Sequence, residues 1–428
     1  MTVRVVVTAD NHLNRFVSRL SVTRLEDRRQ RLRLAFRRVV DSAIEARAAV
    51  LILGGDTFDA IDPRNLERAA FARALRRLQD GGVTVVATGG NHDSPRQTTD
   101  HGGYGPFAEF EEAGLLRYLG PPGDDGTMSH VVVEAAGQYL AIAGVAWRPV
   151  TGGDPLAGLA FPETDGPPPD WRIVVTHAGI EGHAYPGPLE PAIRRDTIAA
   201  LEADILVAGH VHQSLLTVVP CRSGRACHVI VPGSTERMTF GEMGIRPGFA
   251  IVELPPHGPP SVTWRAIAAQ PRAVLDIPAT ELAPERLGGL RPDADDPTAT
   301  IVRRLDAMAD PDAMVVLRVY GAVPREVLDD LDLAEVQATG ARLFFSFDLD
   351  ATALVPADPG MAVAPAGARR TAIEEVRATV DSMGIGAGPE ELATLEDAWS
   401  RILPLLGGLD EGMAGAASPA SGDPDAAS

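Results

Sequence analysis

The chain opens on an apolar run, Val3 to Ala9, that stops at the polar triplet Asp10-Asn11-His12. The same pattern recurs four more times. Ala49 to Leu53 precedes Gly54-Gly55-Asp56, and Val83 to Ala87 precedes Gly89-Gly90-Asn91-His92-Asp93. Ile173 to Thr176 precedes His177, and Ile205 to Ala208 precedes Gly209-His210-Val211-His212. Runs this short and this rich in Val and Ile predict strands. Between the first three the period changes. Leu25, Leu32, Phe36, Val39 and Ala43 recur at helical spacing and predict a helix over Leu25 to Arg47, and Asn65 to Gln79 predicts a second. Alternating strands and helices build an α/β layered domain, in which functional residues gather at the carboxyl ends of strands.

Further along, Val131 to Glu134 and Tyr139 to Ala143 predict a hairpin, and residues 148–171 a Gly/Pro-rich loop. Cys227 to Val231 and Phe249 to Leu254 predict more strands, and the first domain closes near residue 265. Residues 288–297 read as a linker or exposed loop. Met314 to Tyr320 and Arg342 to Leu349 predict strands of a smaller α/β unit, with Arg325 to Gln337 partly helical between them. Residues 371–382 and 389–406 predict two helices, and the Ala, Gly, Ser, Pro and Asp tail from 412 to 428 predicts disorder.

Composition narrows the picture. Two cysteines, Cys221 and Cys227, cannot staple 428 residues, which suits reduced thiols. No apolar stretch is long enough to span a bilayer and no cationic start precedes a long apolar run, so a soluble cytoplasmic protein is expected. The formal charge of -19 is unevenly spread: residues 266–428 carry 12 arginines against 28 acidic residues, leaving -3 for residues 1–265. Global acidity weighs against nucleic-acid binding, but this distribution leaves the first domain nearly neutral. Arg24, Arg28, Arg29, Arg31, Arg33, Arg37 and Arg38, on the first predicted helix, are the best basic candidates, as a phosphate-facing surface or a solvated arginine face.

The chemistry lies at the strand ends, which carry Asp10 with His12, Asp56, Asn91 with His92, His177, and His210 with His212. Alternate residues on an extended segment share a face, so both Asp10-x-His12 and His210-x-His212 can turn two side chains to one side. Carboxylates and imidazoles suit manganese, iron or zinc. A carboxylate shared between two cations holds them about 3.5–4 Å apart, and such pairs hydrolyse phosphoesters. His101 and His183, in loops flanking the centre, are candidate substrate contacts.

These ordered motifs resemble the calcineurin-like metallophosphoesterases. More narrowly, Asp10-Asn11-His12-Leu13, Gly55-Asp56-Thr57-Phe58-Asp59, Gly90-Asn91-His92-Asp93, His177 and Gly209-His210-Val211-His212 resemble the SbcD family, the nuclease subunit of the bacterial SbcCD complex. Pro232-Gly233-Ser234-Thr235-Glu236-Arg237 with Phe240-Gly241-Glu242 is similar to a run typical of that family. The resemblance implies a four-layer metallophosphoesterase β-sandwich flanked by helices, with a small C-terminal α/β capping domain. The expected divisions are 1–265 (nuclease), 266–360 (capping), 361–411 (helical) and 412–428 (tail). It implies that Asp10, His12, Asp56 and His212 hold one metal, and Asp56, Asn91, His177 and His210 the other. His92 would assist catalysis beside the scissile phosphate. It further implies two divalent ions, usually Mn2+ with Fe or Zn as alternatives, a DNA substrate, a homodimer, and a coiled-coil ATPase partner of the SbcC type. A phosphodiesterase for a small phosphoester or nucleotide, without DNA binding, is the alternative.

Overall fold

The computed structural model describes residues 1–96, 100–148, 153–164, 166–186, 190–282 and 296–357. Of the linker expected at 288–297, residues 288–295 lie outside the described residues, as do parts of the loop expected at 148–171, the helices expected at 371–382 and 389–406, and the tail.

The first sheet is built on parallel strands β1 (Val3–Thr8), β2 (Val50–Gly54), β3 (Thr84–Thr88) and β4 (Arg117–Leu119). Antiparallel strands Gly248–Leu254 and Ser261–Ala266 extend it beyond β1. The second sheet has β5 (Ser129–Ala135) and β6 (Gln138–Gly144) as a hairpin at one edge, then β7 (Trp171–His177). Strands Ile205–Gly209 and Ala226–Val231 continue it in parallel, and Leu215–Pro220 closes the other edge.

Alternation explains the layers. Val5, Val50, Ile52 and Val86 of the first sheet join Leu140, Ile142, Ile173, Val175 and Val207 of the second in one buried cluster between the sheets. The intervening residues Val6, Leu51, Leu53, Val85 and Ala87 point the other way, against Leu32, Phe36, Val39, Phe71 and Leu75 of helices α1 (Val22–Glu45) and α2 (Asn65–Asp80). On the far side of the second sheet, Val174 and Leu206 meet Ile198 and Leu201 of the helix Arg195–Leu201. Strands covered on both faces read as continuous apolar runs, which is why the central ones stood out in the sequence.

Helix α1 starts three residues earlier than its apolar period suggests. Ser21 is its N-cap, with the side-chain oxygen accepting from Arg24 N at 3.3 Å. It ends at Glu45, and Arg47 is already left-handed at φ 50°. Its arginines do not share one solvated face. Arg28 is buried, Arg29 donates to Arg15 O, Arg33 pairs with Glu26 and Glu67, Arg31 pairs with Asp312, and Arg24 lies over the Phe345 ring. Arg37 and Arg38 are exposed.

The third sheet runs Arg272–Pro278, Asp310–Val323, Phe344–Asp350, with Leu354–Pro356 pairing the end of the long strand. The expected strand Arg342 to Leu349 is corrected at its start: Arg342 and Leu343 finish the helix Leu333–Leu343, and the strand begins at Phe344. That helix is capped by Asp332, which accepts from Ala334 N and Glu335 N. The helix Pro297–Ala307, unexpected from the sequence, has Asp296 as N-cap and Pro297 in its first turn. The fold is therefore mixed α/β: two large sheets flanked by helices, and a smaller C-terminal α/β sheet.

Contacts divide the chain into two compact units. The larger comprises the described residues of Met1–Ile277, Asp295–Val319 and Leu331–Ala351. The smaller comprises those of Pro278–Ala294, Tyr320–Asp330 and Thr352–Ser428. In the smaller unit, Gly321–Val323 pairs with Leu354–Pro356.

Candidate metal centre

Parallel strands aim their carboxyl ends the same way, and five of them deliver the site. Asp10 and His12 follow β1, Asp56 follows β2, Asn91 and His92 follow β3, His177 ends β7, and His210 and His212 follow Ile205–Gly209. Asp10, His12, Asp56 and His177 are almost fully buried. Four of these residues turn the chain through the left-handed region: Asp10 at φ 52°, His12 at 46°, Asp56 at 48° and His210 at 91°. Such backbone costs about 1–3 kcal/mol per residue and persists where surrounding structure enforces it. Two glycines make room. Gly55 has φ 92°, and a Cβ there would overlap the His177 ring. A Cβ on Gly90 would overlap the Asp56 carboxylate.

The donors converge on Asp56. Its Oδ2 lies 3.4 Å from His177 Nε2, 3.8 Å from His12 Nε2 and 4.0 Å from His92 Nε2. On one side His12 Nε2 and His212 Nε2 are 3.1 Å apart, with Asp10 Oδ1 3.8 Å from the latter. On the other, Asn91 Oδ1 lies 3.1 Å from His177 Nε2 and 3.0 Å from His210 Nδ1. Three sets, Asp10–His12–His212, His12–Asp56–His92 and Asp10–Asp56–His177, each bring their ligand atoms within 4.8 Å of one another.

The outer nitrogens explain why such a cluster suits cations. His12 Nδ1 meets Asp59 Oδ1 at 2.9 Å, His212 Nδ1 meets Glu242 Oε1 at 3.1 Å, and His177 Nδ1 meets Gly54 O at 2.9 Å. His210 Nε2 meets Glu190. Each partner only accepts, so each outer nitrogen carries the hydrogen. In the neutral rings the inner nitrogens then turn lone pairs toward one another and toward carboxylate and amide oxygens. Acceptors facing acceptors repel unless a cation or proton lies between them. The donor set therefore fits divalent metal ions of the manganese, iron and zinc type.

The charges agree with that reading. Burial alone would raise the Asp56 pKa, but His177, His12 and His92 bring it well below the carboxylate range. Burial disfavours the charged form of His177, yet Asp56 beside it lifts its pKa to about 9. Burial works against Glu242 as well, and His212 pulls it down to about 2. Asp93 behaves differently: burial, then Asp56, push it up to about 7, while its carboxylate accepts from Gly90 N at 2.7 Å and Phe58 N at 3.0 Å. It ties the second and third motif loops together.

The centre floors a cleft of about 650 Å³ lined by His12, Asp56, Asn91, His92, His210 and His212. The His92 side chain is 37% exposed there, and its backbone N–H donates to Asp56 Oδ1 at 2.9 Å. His183 also lines the cleft, with Nε2 3.0 Å from Gln213 O, whereas His101 is not among the lining residues. Sequence reasoning passed over Asp59, Glu190 and Glu242 as partners of the histidines. Asp59 and Glu242 stood inside recognised motifs; nothing local in the sequence marked Glu190.

Residues 3–214 match the calcineurin-like phosphoesterase family. Over 98 residues the chain is 33% identical to the DNA double-strand break repair protein Mre11 of Sulfurisphaera tokodaii, covering 23% of this chain and 24% of that protein. Over 262 residues it is 26% identical to the protein of the same name from Methanopyrus kandleri, covering 58% and 54%. Over 145 residues it is 30% identical to a component of the nuclease SbcCD of Bacillus subtilis, covering 34% of each. The chain spans from about a quarter to about half of the length of these relatives.

Proposed function

We propose, from the premise that the chain carries a calcineurin-like metallophosphoesterase domain distantly homologous to the Mre11/SbcD nucleases, that it is a manganese-dependent phosphodiesterase cutting DNA. In this reading it is the cytoplasmic nuclease subunit of an SbcCD-like repair complex, acting as a homodimer with a coiled-coil ATPase. In this reading residues 1–265 are the nuclease domain and 266–360 the capping domain. The observation that carries the catalytic part is the convergence of inward-facing acceptors around Asp56.

Asp10, His12, Asp56 and His212 would hold one metal, and Asp56, Asn91, His177 and His210 the other. When bound, two divalent ions activate water near neutral pH and stabilise charge on a phosphoryl group. His92 reaches into the cleft beside Asp56 and is fit to hold or donate a proton at Nε2 to a departing oxygen. Its ring is steadied by Asp59, whose backbone carbonyl lies 3.3 Å from Nδ1. Asp59 also receives Arg15 Nη1 at 2.8 Å, which keeps a guanidinium at the cleft wall. A guanidinium there suits a phosphodiester backbone.

The test is digestion of linear double-stranded DNA in manganese, with and without the ATPase, beside a model diester. Cleavage of DNA that the ATPase stimulates supports the proposal. Full activity on the model diester with no binding or cutting of DNA would favour the small-phosphoester alternative.

A further inference from the structure

The segment from Pro232 to Glu242 has no part in holding a metal directly, yet it is built around one proposed ligand. It leaves the end of a sheet strand and passes under His212: Gly233, at φ 72°, packs so closely that a Cβ would collide with His212 O. Ser234 N then donates to that same carbonyl at 3.0 Å. Thr235 Oγ1 accepts from Asn11 Nδ2 at 3.2 Å, which joins the segment to the first motif. After Glu236 the chain turns back, and Glu242 returns to the imidazole of His212 at 3.1 Å. His212 is thus gripped at its backbone and at its ring by the two ends of one strap.

Glu242 is itself immobilised. Its Oε2 accepts from Met238 N at 2.6 Å and its Oε1 from Thr239 Oγ1 at 3.0 Å. Phe240, two residues before it, lies under the Arg272 guanidinium at 5.0 Å, and Arg272 donates to Arg237 O and Met238 O. The far bend is anchored by Glu236, which pairs with buried Arg28 at 3.1 Å. A carboxylate held this firmly fixes the hydrogen of His212 on Nδ1, and so fixes the lone pair of Nε2 toward Asp10 and His12. A charged acceptor also makes the imidazole a better donor to a cation.

We propose that Glu242 is a positioning residue for metal binding, acting through His212 and serving only the site shared by Asp10, His12, Asp56 and His212. This rests on the proposed assignment of His212 as a ligand. The experiment is a manganese titration of the full-length chain followed by electron paramagnetic resonance, on wild type, Glu242→Ala, Glu242→Gln, His212→Ala and the Glu242→Ala/His212→Ala pair. Loss of an outer partner of a metal-ligating histidine weakens binding about 10–100-fold. Glu242→Ala is expected to weaken one of two manganese sites by that factor and leave the other unchanged. Glu242→Gln, which keeps an acceptor oxygen, should recover most of the affinity. In the His212→Ala background, Glu242→Ala should cost nothing further. Unchanged binding in Glu242→Ala overturns the proposal, as does an equal loss with and without His212. Loss of both sites with an altered circular-dichroism spectrum in both Glu242 variants would assign it to holding the loop instead, also overturning it. A wild-type chain that binds no manganese removes the reading beneath it, a result distinct from all of these.

Discussion

Replacing Arg28 with methionine tests how the strap is held. The Arg28 side chain is 1% exposed, on the inner face of α1. Its Nη1 donates to Gln270 Oε1 at 2.9 Å and lies 3.1 Å from Glu236 Oε2, and its Nη2 donates to Arg237 O. Gln270 Nε2 in turn donates to Asp312 O at 3.1 Å. Methionine fills much of the volume but strands a buried carboxylate. Removing one partner of a buried pair costs about 3–5 kcal/mol. Glu236 would keep Arg237 N at 2.8 Å and Gln270 N at 3.1 Å as donors. That places the loss near the lower end, about 3 kcal/mol. With a urea slope of about 3 kcal/mol/M for a domain at the upper end of the usual range, the midpoint should fall by about 1 M. Urea unfolding followed by tryptophan fluorescence reads this directly. The double variant Arg28→Met/Glu236→Gln should regain part of the loss, because no unpaired charge is left. A loss below about 1 kcal/mol, the worth of an exposed pair, would refute the reasoning. So would a double variant no more stable than Arg28→Met.

Three further outcomes follow from the site. Gly55→Ala forces a Cβ into the His177 ring at positive φ, so it should destabilise the fold by about 1–3 kcal/mol and weaken manganese binding; thermal melts and titration together check it. Because the pKa of His177 lies at about 9, the metal-free protein holds a proton at Nε2 at neutral pH that a metal must displace. Manganese affinity should therefore rise between pH 7 and 9 with release of protons, and calorimetry in buffers of different ionisation enthalpy would expose a pH-independent, proton-neutral reaction as a contradiction. His92→Gln should abolish hydrolysis of DNA while leaving manganese binding intact; retained turnover would remove His92 from the mechanism.

The fold was most legible where burial is two-sided. The central strands are unbroken Val, Ile and Leu runs because both of their faces are covered, and each stops at a chemical residue. Edge strands were harder. Ser261–Ala266 alternates Val262, Trp264 and Ala266 with polar residues but is largely exposed, and Leu215–Pro220 alternates weakly. The helix Pro297–Ala307 was hidden because its N-cap, Asp296, ends a polar, Gly- and Asp-rich stretch of sequence that reads as a linker. The inward side chains of the site were legible as motifs, since short spacing at strand ends encodes a shared direction. Their outer partners were not. Glu242 meets His212 across 30 residues and Asp59 meets His12 across 47, distances over which only the fold decides contact. Arg28 was misread for the same reason: an arginine on a helix shows nothing locally of the carboxylate that draws it inside.

The converging acceptors around Asp56 are fit to hold two divalent ions. Counting bound manganese per chain after equilibrium dialysis, in wild type and in Asp56→Ala, tests it most directly. Two ions are expected in the wild type and weakened binding at both sites in the variant, because Asp56 is shared. A wild type that binds none, or an Asp56→Ala chain that binds as the wild type does, would contradict it.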